Sequence, residues 1–204
     1  MSSIEVVVLD LGNVLIEWDP RVVWSRTMSD AEIDQFMDES GFAELNRSLD
    51  GGRSYADARA ALARSHPQHV PTLDAYWEAF ADTLVRPVPG MADLVAELRA
   101  GGTRLIGLSN WSAETFHHAP VAAPAIALLE DVLVSGRVQL AKPDRAIFEL
   151  LISRFALEGA RTLFVDDSEA NVRAAREAGL HAHHFSGADR LRAELRAMGV
   201  LPSS

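Results

Sequence analysis

The chain has 204 residues, 48% of them hydrophobic and 24% charged, with a net charge of −10 and no cysteine. The acidic balance, with no basic run to offset it, argues against nucleic acid or an anionic membrane as a partner. The lack of cysteine removes disulfides, thiolate metal sites and a cysteine nucleophile. No apolar run is long enough to span a bilayer, and the first strand begins too early to leave room for a leader, so a soluble cytoplasmic protein is expected, as a monomer or small homodimer.

Val6-Val7-Val8-Leu9 is an uninterrupted apolar run rich in β-branched residues. It predicts a strand buried on both faces, and hence a parallel sheet covered by helices. The run stops at Asp10, followed by Leu11-Gly12-Asn13-Val14. Ligands of such sheets bind beyond the carboxyl ends of the strands, so Asp10 is aimed at the expected site. An Asp that merely caps a turn is the plain alternative.

A short extended piece follows over 15–20. Across 21–85 the apolar residues, among them Ile33, Phe36, Phe42, Leu49, Leu62, Tyr76 and Phe80, recur at helical spacing. Breaks at Ser29-Asp30, Ser40-Gly41, Gly51-Gly52 and 66–71 divide this stretch into four or five short helices, with no strand. Residues 86–90 read as a return linker. Beyond it, strands and helices alternate: helix 91–100, strand 104–108, strand 132–134, a helix opened by Lys142-Pro143 and running to about 155, strand 162–165, helix 169–178, strand 181–185 and helix 188–198. That order predicts an α/β fold, a doubly wound parallel sheet. Residues 1–16 and 87–204 would form its Rossmann-like core, and 17–86 a small all-helical cap inserted after the first strand.

Three apolar strands end in polar residues: Asp10, Ser109-Asn110 and Asp166-Asp167, with Lys142 at a helix start between the second and third. In a parallel sheet these ends share one rim. Clustered carboxylates repel one another, and a hard cation with oxygen ligands, Mg²⁺, is the simplest counter-charge. A lysine and backbone donors beside that cation suit a phosphoryl group.

These stretches resemble the four motifs of the haloacid dehalogenase (HAD) superfamily. Asp10-Leu11-Gly12-Asn13-Val14 looks like the first, Leu108-Ser109-Asn110 the second, Lys142-Pro143 the third, and 164–171 (Phe-Val-Asp-Asp-Ser-Glu-Ala-Asn) the fourth, in the family's order. The Asp-Leu-Gly-Asn-Val form most resembles the branch of glucose-1-phosphate phosphatases and the phosphatase domain of soluble epoxide hydrolases. The resemblance implies a Mg²⁺-dependent phosphatase acting on a small phosphorylated metabolite, a sugar phosphate among the candidates. Asp10 would be the nucleophile that forms an aspartyl-phosphate. The metal would be held by Asp10, the carbonyl of Gly12 and Asp167. Asp166 would stand behind the metal and pair with Lys142, and Asn171 would orient Asp167 or a metal-bound water. Ser109, Asn110 and Lys142 would hold the phosphate.

One departure matters. Most phosphatases of this family carry a second aspartate two residues after the nucleophile, as general acid and base; here Gly12 stands there. Glu17, Asp19 and a histidine are open as substitutes. A 2-haloacid dehalogenase using Asp10, and a weak or inactive phosphate-binding protein, are the alternatives. The pairs and triplets of histidine, at 117–118 and 181–184, match no zinc spacing and read as structural or solvated. Trp18, Trp24 and Trp77 read as core, and Trp111 as a candidate for lining the site.

Overall fold

The computed structural model describes residues 4–202. In chain order the strands are β1 (Val6–Leu9), β2 (Ile16–Trp18), β3 (Leu84–Pro87), β4 (Arg104–Ser109), β5 (Val132–Val134), β6 (Thr162–Asp166) and β7 (His181–His184). The helices are α1 (Arg21–Trp24), α2 (Asp30–Ser40), α3 (Phe42–Asp50), α4 (Tyr55–Ser65), α5 (Val70–Glu78), α6 (Met91–Ala100), α7 (Ala119–Ala122), α8 (Ser135–Val138), α9 (Arg145–Phe155), α10 (Glu169–Glu177) and α11 (Ala188–Ala197).

Five strands form one sheet in the order β5-β4-β1-β6-β7, every pairing parallel. β1 is central and fully buried, as its unbroken apolar run requires. Alternation along it splits the core into two layers. Val7 and Leu9 join Leu105, Leu163 and Val165 on one face with the side chains of α6 and α11. Val6 and Val8 join Ile106, Leu108 and Phe164 on the other, under α9 and α10. The chain leaves β1 toward β4 and later crosses to β6, so the strand order reverses beside β1. The crevice at their carboxyl ends is the topological switch point, where open α/β sheets bind ligands.

Helices α1–α5 lie between the two strands of a small antiparallel ribbon, β2 with β3. This corrects the expectation of a plain linker over 86–90. Leu84–Pro87 is a strand, paired through Glu17↔Arg86 and Ile16↔Pro87. Its signal is weak because it is four residues long, ends in proline and has no alternating face. A Glu17–Arg86 ion pair at 2.9 Å spans the two strands. Lys142-Pro143 likewise lies in the turn before α9 rather than inside the helix.

The insertion's helices start and stop where short polar side chains and glycine make it favourable. Ser29 caps α2 in a reciprocal capping box with Glu32. Gly41, at φ +62°, closes α2 and turns the chain directly into α3. Trp24 sits at the centre of the apolar cluster, with its ring 4.9 Å from Phe36, 5.0 Å from Phe42 and 5.5 Å from Tyr76. Its indole N–H donates to the Thr72 carbonyl at 2.9 Å. This cluster is continuous with the sheet face of Val7 and Leu9. Trp24→Ala is therefore expected to destabilise the whole protein by about 3–5 kcal/mol, as one transition in a urea melt. A separate early transition of the insertion would contradict that continuity.

Candidate active site

The switch point gathers the polar strand ends. Asp10 follows β1, Ser109 ends β4, and Asp166 ends β6. Lys142 reaches in from the turn before α9. Its ammonium is 2.9 Å from Asp10 Oδ1 and 2.7 Å from Asp166 Oδ2, and donates to the Leu108 carbonyl at 3.1 Å. Those three partners use its three donors, and its side chain is 1% exposed. Burial pulls the Lys142 pKa down, but Asp10 and Asp166 outweigh it and hold the ammonium charged.

Asp10 and Asp166 are each held in place. Asp10 Oδ1 accepts from the Leu11 backbone N–H at 2.7 Å. Asp166 is fully buried and accepts from the Ser168 backbone N–H at 2.8 Å. Asn171 Nδ2 contacts both Asp166 oxygens, at 2.9 and 3.1 Å. Asn171, expected to orient Asp167 or a metal-bound water, here orients Asp166, because one turn of α10 brings it back over the end of β6. Asp167 is the most exposed of the three aspartates. The Asn110 side chain clamps the Lys142 peptide, accepting from its N–H and donating to its carbonyl, both at 2.8 Å. That clamp ties β4 to the turn that carries the lysine.

Asp10, Asp166 and Asp167 each offer a carboxylate oxygen within 4.8 Å of the others. One ammonium faces these three carboxylates, two of them buried, leaving an excess of negative charge at the rim. Burial pushes Asp10 up to about 7 against the pull of Lys142, and burial and Asp166 push Asp167 up. Ser109 Oγ is buried with no hydrogen-bond partner, beside the end of β4. An all-oxygen set with surplus negative charge fits a hard divalent cation such as Mg²⁺. An orphaned hydroxyl in the same rim fits an anion held with it.

The raised Asp10 pKa has a measurable sign. Its folded-state value lies above the ordinary 3.8, so its stabilising contribution is complete below pH ~4 and is lost as pH rises through ~7. The melting temperature of the metal-free protein should fall over that range, and fall less in Asp10→Asn. Melts in EDTA across the range check this; equal slopes in both proteins would contradict it.

A cavity of about 120 Å³ opens above the rim, lined by Gly12, Trp18, Asn46, Asp50, Tyr76, Phe80, Asn110 and Trp111. Gly12 and Asn110 belong to the rim, and the insertion supplies Asn46, Asp50 and Tyr76. A Cβ on Gly12 would meet nothing within 4 Å, so the space above it is open.

A family model described as haloacid dehalogenase-like hydrolase matches residues 4–179. The chain belongs to this family. The hydrolase is 28% identical to phosphoglycolate phosphatase of Nitrosospira multiformis, over 87% of this chain and 81% of that protein. Its fold matches a HAD-like family hydrolase from Porphyromonas gingivalis with a TM-score of 0.74, 24% identity, and 97% and 98% of the two chains covered. It also matches a HAD family enzyme from Bacteroides thetaiotaomicron, solved in complex with magnesium and inorganic phosphate. That TM-score is 0.69, with 23% identity over 90% of this chain and 95% of the other.

Other readings of the sequence resolve differently. Trp18 and Trp111 line the cavity, whereas Trp24 is interior and Trp77 stacks on Tyr55 at 4.2 Å. Glu17 pairs with Arg86 on the ribbon, and Asp19 accepts from the Arg21 backbone N–H at 2.9 Å. Neither lines the cavity, and no histidine does. Among the described residues, the Asp10-Asp166-Asp167 set is the one group of acids and histidines with ligand spacing. No helix among the described residues is long and apolar enough to cross a membrane.

Asp50 was missed from sequence, and no local signal sets it apart. It is the last residue of α3, and a carboxylate there opposes the helix dipole. Glu78 and Glu177 end α5 and α10 in the same way, so only the packed structure singles Asp50 out, by placing it on the cavity wall.

Proposed function

We propose that this hydrolase is a Mg²⁺-dependent phosphatase of small phosphate monoesters, acting through an aspartyl-phosphate on Asp10. The observation that carries the reading is the buried Lys142 ammonium bridging Asp10 and Asp166 at 2.9 and 2.7 Å, with Asp167 alongside. The phosphatase name of a relative over most of both chains supports it, as does a fold neighbour solved with magnesium and phosphate. The metal would be held by Asp10, the Gly12 carbonyl and Asp167, and would supply positive charge against the carboxylates and the phosphoryl group. Asp10 attacks phosphorus, the P–O bond to the leaving group breaks, and water later frees Asp10 and inorganic phosphate. Lys142 keeps Asp10 aimed and offsets charge on the phosphoryl oxygens. Ser109 Oγ and the Asn110 backbone N–H hold those oxygens. Asp166, braced by Asn171 and Ser168, fixes Lys142 from behind. The insertion acts as a cap that excludes water and meets the leaving group.

The test is phosphate release from 4-nitrophenyl phosphate and a panel of sugar phosphates, with Mg²⁺ and with EDTA. Release that needs Mg²⁺ is expected. Halide release from 2-haloacids without added metal, and no phosphate release, would replace this reading with a dehalogenase. Phosphate binding without turnover would replace it with a binding protein.

A further inference from the structure

The strand-end loop offers no proton for the leaving group, because residue 12 is glycine with open space above it. Asp50 is the sole carboxylate among the residues lining that space. It belongs to the insertion but is tied to the rim. Its backbone carbonyl accepts from Ser135 Oγ at 2.5 Å, and Ser135 Oγ itself accepts from the Trp111 backbone N–H at 2.9 Å. One hydroxyl therefore fixes Asp50 to the residue following Asn110. Gly52 reinforces the junction: at φ +98°, a Cβ there would lie 2.8 Å from Gln139 Cγ and 3.1 Å from the Gly136 carbonyl oxygen. The Asp50 side chain is oriented as well. Asn46 Nδ2 donates to Asp50 Oδ2 at 3.2 Å, and Tyr76 OH donates to Asn46 Oδ1 at 3.2 Å.

We propose that Asp50 is the general acid and base of the phosphatase reaction, delivered by the insertion in place of a side chain at position 12. The proposal rests on the phosphatase reading above. In the first step an Asp10 oxygen bonds to phosphorus as the P–O bond to the leaving group breaks, and the Asp50 carboxyl proton passes to the departing oxygen. In the second, the Asp50 carboxylate takes a proton from water as that water attacks phosphorus and the bond to Asp10 breaks. Asp10 and Asp50 end as they began, with one alcohol and one phosphate released. The substrate class follows: esters of poor leaving groups, alkyl phosphates, whose carbon skeleton lies against Trp18, Tyr76, Phe80 and Trp111.

The electrostatics agree with this geometry. Burial pushes Asp50 up to about 7, opposed by the Ser112 backbone N–H and by Lys142. The charged group acting on it is Lys142 from the core, and Asp50 in turn helps raise the Tyr76 hydroxyl on α5. A carboxyl group balanced near neutrality can both give and take a proton.

The test compares Asp50→Asn with the wild type in single-turnover release from 4-nitrophenyl phosphate and from phenyl phosphate, in Mg²⁺. Nitrophenolate leaves readily without a proton, and phenolate far less so. In Asp50→Asn the first-turnover rate on phenyl phosphate should fall by about 10²–10⁴, and by at least about tenfold less on 4-nitrophenyl phosphate. On 4-nitrophenyl phosphate the variant should then stall after one equivalent, with phosphorylated enzyme accumulating. Asp50→Glu, which keeps a proton donor, should regain part of the phenyl phosphate rate. It also decides the question if Asp50→Asn fails to fold, by losing more on phenyl than on nitrophenyl phosphate. Equal losses on both substrates would overturn the proposal and leave Asp50 a positioning residue; so would no loss on either. If the wild type releases phosphate from neither ester nor from any of the sugar phosphates, the phosphatase reading itself fails, which is a distinct outcome.

Discussion

Asp10→Asn is expected to lower Mg²⁺-dependent phosphate release by at least about 10⁴, to background, while leaving the protein folded. An amide is nearly the same size as the carboxylate and keeps an oxygen that can accept from the Leu11 N–H and from Lys142, as Asp10 Oδ1 does at 2.7 and 2.9 Å. What it loses is the anionic oxygen that bonds to phosphorus, for which the amide has no equivalent. It also removes one of the three clustered carboxylates, so Mg²⁺ affinity should fall, which calorimetry would register. Residual turnover within about tenfold of the wild type would mean that another group attacks the substrate.

Lys142→Met is expected to damage stability as well as turnover. It leaves Asp10 and Asp166 buried against each other without the ammonium, and the Leu108 carbonyl without its donor. Breaking a buried charge pair by removing one member costs about 3–5 kcal/mol, roughly 10 °C in melting temperature for a chain of this size. The deficit should shrink as pH falls, because protonating either carboxylate relieves the repulsion that Lys142 held in check. Lys142→Arg should not restore turnover, since a planar guanidinium cannot reproduce a compact ammonium with three acceptors around it. Melts of the metal-free variant between pH 5 and 8 decide the matter. A loss below about 1 kcal/mol would show that the three contacts contribute little net stability.

Much of the core was legible. β1, β4 and β6 are apolar runs closed by a polar residue, and that pattern alone placed Asp10, Ser109, Asn110, Asp166 and Asp167 on one rim. Helix bounds were within a few residues where Ser29, Gly41 or Gly101 punctuates the chain. The ribbon strand Leu84–Pro87 was not legible, because its pairing partner lies far back in the chain and its own four residues carry no alternation. The contact of Asn171 with Asp166 was not legible either, the sequence pointing to Asp167 or a metal-bound water. Spacing brings it to the end of β6 but does not say which of two adjacent aspartates faces α10.

The sequence by itself determined the sheet, the order of its polar strand ends and the helical nature of the insertion. Those depend on local hydrophobic period and on residues with restricted or unusual backbone preferences, which act over a few neighbours. Tertiary structure alone decided what stands above Gly12. That depends on how the insertion docks, and docking is set by contacts between distant positions: Ser135 with Asp50, 85 residues apart, and Tyr55 with Glu114, 59 apart. Helical period says which face of α3 is apolar, but only the packed chain shows that the last residue of that helix lines the same cavity as Gly12.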